Sequence, residues 1–162
     1  MNAVLRHRNP LQPMTPAHLD EVMAIEAEAY PFPWTRGNFI DSLASGYPAR
    51  VLFDGGFRNR VIGYFVAMEG VDELHLLNLT VAPSEQRGGH GRRLLDALVS
   101  MCHELHAPQL WLEVRVSNTR PRDIYRRYGF REVGVRRGYY PSFEGQREDA
   151  CVMSLDLSGG HQ

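Results

Sequence analysis

Cysteine is scarce: the chain holds two, Cys102 and Cys151, neither in a CxxC pair nor at metal-ligand spacing. That excludes a disulfide scaffold and a structural zinc site, and their apolar settings, "LLDALVSMCHEL" and "DACVMSLDL", read as buried thiols of a reduced protein. Long apolar runs are missing too: none approaches the ~20 residues that cross a bilayer, and no secretory apolar segment stands upstream. A cytoplasmic protein with no membrane partner is expected. Charge of one sign is not in excess, since 18 Lys+Arg face 19 Asp+Glu for a formal net charge of -1. No global basic field recruits nucleic acid, so no direct nucleic acid binding is expected, and a charged partner must be met locally. Internal repeats and linker-like composition shifts are absent as well, and 162 residues suit one domain with a real core. The expected ordered core runs from about residue 15 to 157, leaving the "SGGHQ" tail disordered and unrelated to function.

Periodicity then gives the order of elements. "TPAHLDEVMAIEAEAY" offers Thr15 as N-cap, Pro16 at the first helical position, and Leu19, Val22, Met23 and Ile25 at helical spacing, ending before Pro31. "YPFPWTRGNF" cannot continue that helix, because its prolines force extended or turn geometry; Thr35 caps a short second helix carrying Phe39, Ile40 and Leu43. The period changes to strand-like in "ARVLFD", "VIGYFVAME" and "ELHLLNLTVA", whose short connections predict an antiparallel meander. "HGRRLLDALVSMCHEL" places Leu94, Leu95, Leu98, Met101, Cys102 and Leu105 on one side and Arg92, Arg93, Asp96 and Glu104 mostly on the other. "QLWLEVRVS" is a strand, "TRPRDIYRRYGF" a helix begun near Asn118 and stopped by Gly129, and "REVGVRRGYY" and "DACVMSLDL" are the last strands. The strand, helix, strand order between residues 74 and 116 predicts a parallel pair, and so a mixed α/β sandwich.

The turn "SEQRGGHGRR" between a strand and the start of a helix is built for an anion. A helix N-terminus carries about half a positive charge and unpaired N–H groups, and glycines let phosphate oxygens come close to them. The stretch is neither GxxxxGK[ST] nor the dinucleotide fingerprint GxGxxG with its downstream acid. From these residues alone, a glycine turn that merely ends a strand stays open.

Taken together, Gln86-Arg87-Gly88-Gly89-His90-Gly91 followed by "RRLL" resembles the coenzyme A pyrophosphate loop of the GNAT acetyltransferase superfamily, Q/R-x-x-G-x-G/A. "FPWT", "LLNLTVAPSEQRGGHGRRLL", "LWLEVRVSN", "IYRRYGF" and "RRGYYP...EDACVMSL" follow in the order and spacing of its RimI branch, the bacterial ribosomal-protein-alanine N-acetyltransferases. The resemblance spans about residues 15 to 157. It implies the GNAT fold: a central mixed, mostly antiparallel sheet with flanking helices, and a parallel strand pair splayed at the acetyl-CoA site. It implies acetyl-CoA as co-substrate and the N-terminus of a ribosomal protein as partner, with no metal.

The roles it implies fit what acetyl transfer demands. An α-amino group has a pKa of about 7.7 to 8.0, so near neutrality most of it is protonated and a base is needed. By resemblance the base is Glu113 in "LWLEVR", acting directly or through water. Alternation groups Glu113 with Trp111 and Arg115, a face that suits a cleft wall or a wet surface. Tyr125 matches the position of the acid that protonates the leaving thiolate, although an aromatic at helical spacing from Tyr128 also reads as core; Tyr128 can serve the packing. Leu79, Thr80 and Val81 are where the family pairs with the pantetheine arm and supplies oxyanion donors. Arg87, Gly88, Gly89, His90, Gly91 and Arg92 form the pyrophosphate turn, with His90 a spacer whose backbone N–H matters more than its ring. Asn118 caps the helix that follows, reaches the cofactor, or does both. His75, with Glu73, is an alternative base on the cofactor strand, against the reading of a structural or exposed histidine. Pro121 departs from the family's small residue in that helix's first turn.

The resemblance points to the N-terminal alanine of a small-subunit ribosomal protein as acceptor, the peptide passing over the "YPFPW" and "RRGYYPSFEGQ" loops. Glu26, Glu28, Asp41, Asp72 and Glu73 are candidate acidic positions for the basic start of that acceptor. A GNAT enzyme of a small amine or lysine side chain, and a non-catalytic coenzyme A-binding module, are the other readings.

Overall fold

The computed structural model describes residues 10–159; the basic start and the end of the "SGGHQ" tail lie outside them. Seven strands, β1 (Leu11–Pro13), β2 (Ala49–Phe53), β3 (Val61–Gly70), β4 (Glu73–Val81), β5 (Gln109–Arg115), β6 (Arg131–Pro141) and β7 (Arg147–Asp156), form a sheet in the order β1-β2-β3-β4-β5-β7-β6. The α-helices are α1 (Leu19–Ala29), α2 (Arg36–Ala44), α3 (His90–Glu104) and α4 (Thr119–Tyr128). The β4–β5 pair is parallel, while β1–β2, β2–β3, β5–β7 and β6–β7 are antiparallel. This is the mixed, mostly antiparallel architecture the sequence predicts. No helix among the described residues is long and apolar enough to cross a membrane. The residues fall into two compact units, 10–66 with 78–94, and 67–77 with 95–159.

In the first unit, a 3-10 turn at Pro16–His18 leads into α1, with the Thr15 N–H donating to His18 Nδ1 at 3.0 Å. Helix α1 buries Leu19 and Val22 and stops at Tyr30, whose backbone is extended ahead of Pro31. Thr35 caps α2 as expected: its Oγ1 accepts from the Asn38 N–H at 3.1 Å, and its own N–H donates to Asn38 Oδ1 at 2.9 Å. Helix α2 buries Phe39 and Ser42; Ile40, expected beside Phe39, is exposed. The core holds Phe39, Val51, Leu52, Tyr64, Phe65 and Leu94. Strand β1 was not anticipated, because three residues ending in proline carry no alternation; pairing with β2 alone creates it.

In the second unit, α3 turns Leu95, Leu98 and Cys102 inward, as the periodicity requires, while Leu105 reaches the surface. Strand β5 alternates cleanly, burying Leu110, Leu112 and Val114 and turning Trp111, Glu113 and Arg115 to the other face. Its parallel ladder with β4 runs from Glu73–Gln109 to Leu76–Leu112 and ends there, although β5 continues to Arg115. Beyond that point Glu113, Val114 and Arg115 are registered on β7, opposite Val152, Cys151 and Ala150. Both cysteines are buried and free of disulfides, and burial raises each thiol to about 11, so neither presents a thiolate near neutrality.

Candidate active site

The parallel register sets His75 of β4 opposite Trp111 of β5, two residues before Glu113. The imidazole stacks on the indole, centroids 3.7 Å apart and planes 8° from parallel, and its Nε2 lies 2.8 Å from Glu113 Oε1. Arg136 of β6 brings Nε within 2.6 Å of the other carboxylate oxygen, Oε2. Glu113 is therefore an enclosed carboxylate, its side chain 6% exposed, with a partner on each oxygen. Burial pushes its pKa up, but the hydrogen bond and charge of His75, with those of Arg136, outweigh this and hold it below the usual carboxylate value. The wet-surface reading of this face is excluded. The sequence offered Glu113 and His75 as competing bases; the structure joins them. Glu73 is engaged elsewhere, accepting from Trp111 Nε1 at 2.9 Å. Tyr139 and Tyr140 also border this carboxylate, and burial first, then its negative charge, raise both phenols.

Helix α4 carries Tyr125, buried and set edge-on to Phe130 at 5.5 Å, with Tyr128 6.2 Å from the same ring. The Tyr128 hydroxyl donates to Asp96 at 2.7 Å, so Tyr128 is more than the packing residue expected. Asn118 does stand at the N-cap, but its side chain makes no capping bond; its carbonyl accepts the Arg122 N–H at 3.2 Å. Two causes act together. Its backbone (φ −85°, ψ 70°) departs from the extended conformation that aims a capping side chain, and Pro121 removes the third N–H of the helix, one of the donors a cap would satisfy. The capping expectation is corrected, and the amide of Asn118 is left for other use.

The anion turn and the end of β4 belong to the first unit. Arg87 and Gly89 take left-handed backbone (φ 71° and 80°), which turns the chain from the 3-10 segment at Pro83–Glu85 into α3. Open space stands where a side chain on Gly89 or Gly91 would project, whereas a Cβ on Gly88 would meet the His90 ring at 3.0 Å. The Nδ1 of that ring is buried with no hydrogen-bond partner among the described residues. Gln86 Nε2 donates to the Val81 carbonyl at 3.3 Å, tying the turn to the strand end.

Glu26, placed by the sequence reading among rim carboxylates, is a buried hub, 1% exposed. Its Oε1 accepts from the Tyr64 hydroxyl at 2.7 Å and Asn78 Nδ2 at 3.1 Å, and its Oε2 from the Trp34 N–H at 2.9 Å. Beside it the Tyr30 hydroxyl donates to the Leu79 carbonyl at 3.2 Å and lies 2.7 Å from Thr80 Oγ1, which donates to Asn78 Oδ1 at 2.7 Å. Burial, aided by the Glu26 charge and opposed by the Thr80 bond, lifts the Tyr30 phenol to about 12. One carboxylate thus braces both the aromatic loop at Trp34 and the strand end at Leu79 and Thr80. The sequence signal was there: Glu26 falls seven after Leu19 and four after Val22, on the apolar stripe of α1. Glu26→Gln would turn an amide N–H₂ toward one of three donors, and the unpaired donor should cost about 1–3 kcal/mol. Thermal denaturation should show Tm lowered by roughly 2–10 °C.

An enclosed base candidate at the end of a short parallel ladder, and a glycine turn opening a helix, define a class. The Acetyltransferase (GNAT) family model matches residues 19–130, and the chain belongs to that family. Within it, the ribosomal protein bS18-alanine N-acetyltransferase of Escherichia coli (strain K12) is 34% identical over 150 residues, 93% of this chain and 99% of that protein. Its namesake from Haemophilus influenzae is 35% identical over 138 residues, 85% of this chain and 92% of that one. The crystal structure of the Escherichia coli ribosomal-protein-S18-alanine N-acetyltransferase superposes with a TM-score of 0.81 at 32% identity, covering 94% of this chain and 97% of that chain. Arabidopsis thaliana NAA60, solved with a bisubstrate analogue, reaches a TM-score of 0.80 at 19% identity and shares the fold.

Proposed function

We propose that this protein transfers the acetyl group of acetyl-CoA to the N-terminal α-amino group of a protein, the acceptor being the N-terminal alanine of ribosomal protein bS18. The observation that carries the reading is the similarity to alanine N-acetyltransferases along nearly the whole of both chains. Acetyl-CoA supplies an activated thioester; the chain's residues bind, orient and move protons. Glu113 takes a proton from the attacking amine, directly or through one water. It is ionised throughout the neutral range because His75 and Arg136 hold it so. Tyr125 returns a proton to the departing sulfur. Arg87, Gly88, Gly89, His90, Gly91 and Arg92 hold the pyrophosphate: the left-handed turn and the open space before Gly89 and Gly91 suit an anion. Leu79, Thr80 and Val81 line the pantetheine arm, and Asn118, its side chain not spent on capping, serves the same ligand.

The purified protein should acetylate a peptide beginning Ala-Arg on its free terminus, located by mass spectrometry, and leave acetyl-Ala peptides with an internal lysine unmodified. Equal acetylation of the lysine, or of polyamines in place of peptides, would overturn the N-terminal reading. No product with acetyl-CoA bound would favour a non-catalytic role.

A further inference from the structure

The imidazole of His75 has one hydrogen-bond contact among the described residues, and it is Glu113. A carboxylate only accepts, so Nε2 carries the proton and donates it to Oε1 at 2.8 Å. Nδ1 is buried with no partner among the described residues, so the ring does not pass a hydrogen bond onward. Its orientation comes from the other side, by stacking on Trp111, whose own Nε1–H is fixed by Glu73 at 2.9 Å. Packing alone does not account for an imidazole here, since a phenyl ring would stack on Trp111 without leaving a buried nitrogen unpaired.

The two oxygens of Glu113 are held unequally. His75 on Oε1 has a side chain 9% exposed, locked in a stack; Arg136 on Oε2 is 49% exposed and sits at an irregularity of β6, where the register shifts between Arg136 and Tyr140. We infer that His75 is a positioning residue for the transfer, anchoring Glu113 through Oε1 so that Oε2, whose guanidinium partner can yield to an incoming amino group, is the oxygen that takes the proton. The inference rests on Glu113 being the base. In the step, an N–H bond of the acceptor amine breaks and an O–H bond forms at Oε2, while the His75 N–H···Oε1 bond persists. The charged and titratable groups around the pair are Arg136, Tyr139 and Tyr140 of β6, and Glu73 behind Trp111.

The test compares His75→Phe, which keeps the stack and removes the donor, with His75→Gln, which restores an N–H donor. H75F should lower kcat about 10- to 100-fold, the size of loss that follows when a hydrogen-bond partner orienting a metal ligand is removed. Acetyl-CoA KM should stay near wild type, while Tm should fall by roughly 2–10 °C because Oε1 is left buried without that donor. The acid limb of its kcat/KM profile should move to higher pH, because Glu113 loses a donor that favours its ionised form. H75Q should recover most of kcat. Wild-type kcat and acid limb in H75F, or equal loss in both variants, would overturn the inference. Should H75F unfold at the assay temperature, His75→Met carries the same comparison. Glu113→Gln run in parallel separates the two readings: full turnover there would mean that Glu113 is not the base, whatever His75 does.

Discussion

Glu113→Gln is expected to lower kcat at neutral pH by about 10²- to 10⁴-fold, the range that positioned general-base catalysis supplies. The amide keeps the shape of the side chain and cannot take a proton. Its oxygen can still accept from Arg136, but its N–H₂ can bond His75 only if the imidazole moves its proton to Nδ1. The deficit should depend on pH with a definite sign. Below about pH 7.7 to 8.0 most α-amine is protonated and needs the base; above it the free amine attacks unaided and the gap narrows. Parallel kcat/KM profiles from pH 6 to 9.5, with acetyl-CoA affinity by calorimetry, check this. A pH-independent loss accompanied by lost acetyl-CoA binding would make Glu113 a structural residue.

That carboxylate poses a problem of its own. Held below its usual value, it is ionised whenever an acceptor arrives, yet the same stabilisation makes it a weak base. The inequality of its two partners offers a resolution: an acceptor amino group that displaces the half-exposed Arg136 puts a group able to give up a proton where a guanidinium that cannot do so stood. The buried donor on Oε1 keeps the geometry meanwhile.

What could be read in the sequence follows the range of the interaction. Local signals did well: the 3.6 period of α3, the Thr35 cap and the Gly129 stop of α4 depend on residues a few positions apart. Alternation in β5 correctly grouped Trp111, Glu113 and Arg115. The pairing of His75 with Glu113 was out of reach, because it depends on the register of a parallel ladder between residues 38 apart. So was the contact with Arg136, which passes across β7, since β6 and β5 are both paired to it. Asn118 shows a local rule overruled locally, by a proline three residues on whose missing N–H leaves less to cap. Glu26 was misplaced for a different reason. Charge alone points to the surface, whereas the position of Glu26 on the α1 stripe argues for burial with partners.

Gly89→Val should raise the KM for acetyl-CoA by about 10- to 100-fold, a loss of roughly 1.4–2.8 kcal/mol of binding, with kcat at saturation much less affected. Two physical effects converge. At φ 80° a β-branched residue is strained where glycine is not, at about 1–3 kcal/mol, so the turn would shift and re-aim its N–H groups. The side chain would also enter the open space before the turn, where a Cβ meets no atom of the described residues within 4 Å beyond the glycine and its chain neighbours and where the proposed pyrophosphate would approach. Gly89→Ala separates them, because it carries nearly the same backbone strain with far less bulk. A KM close to that of the valine variant would assign the effect to backbone strain, and a KM near wild type would assign it to occupied space. An unchanged KM in both would mean that the turn does not receive the pyrophosphate. The glycines would then serve only to lead β4 into α3.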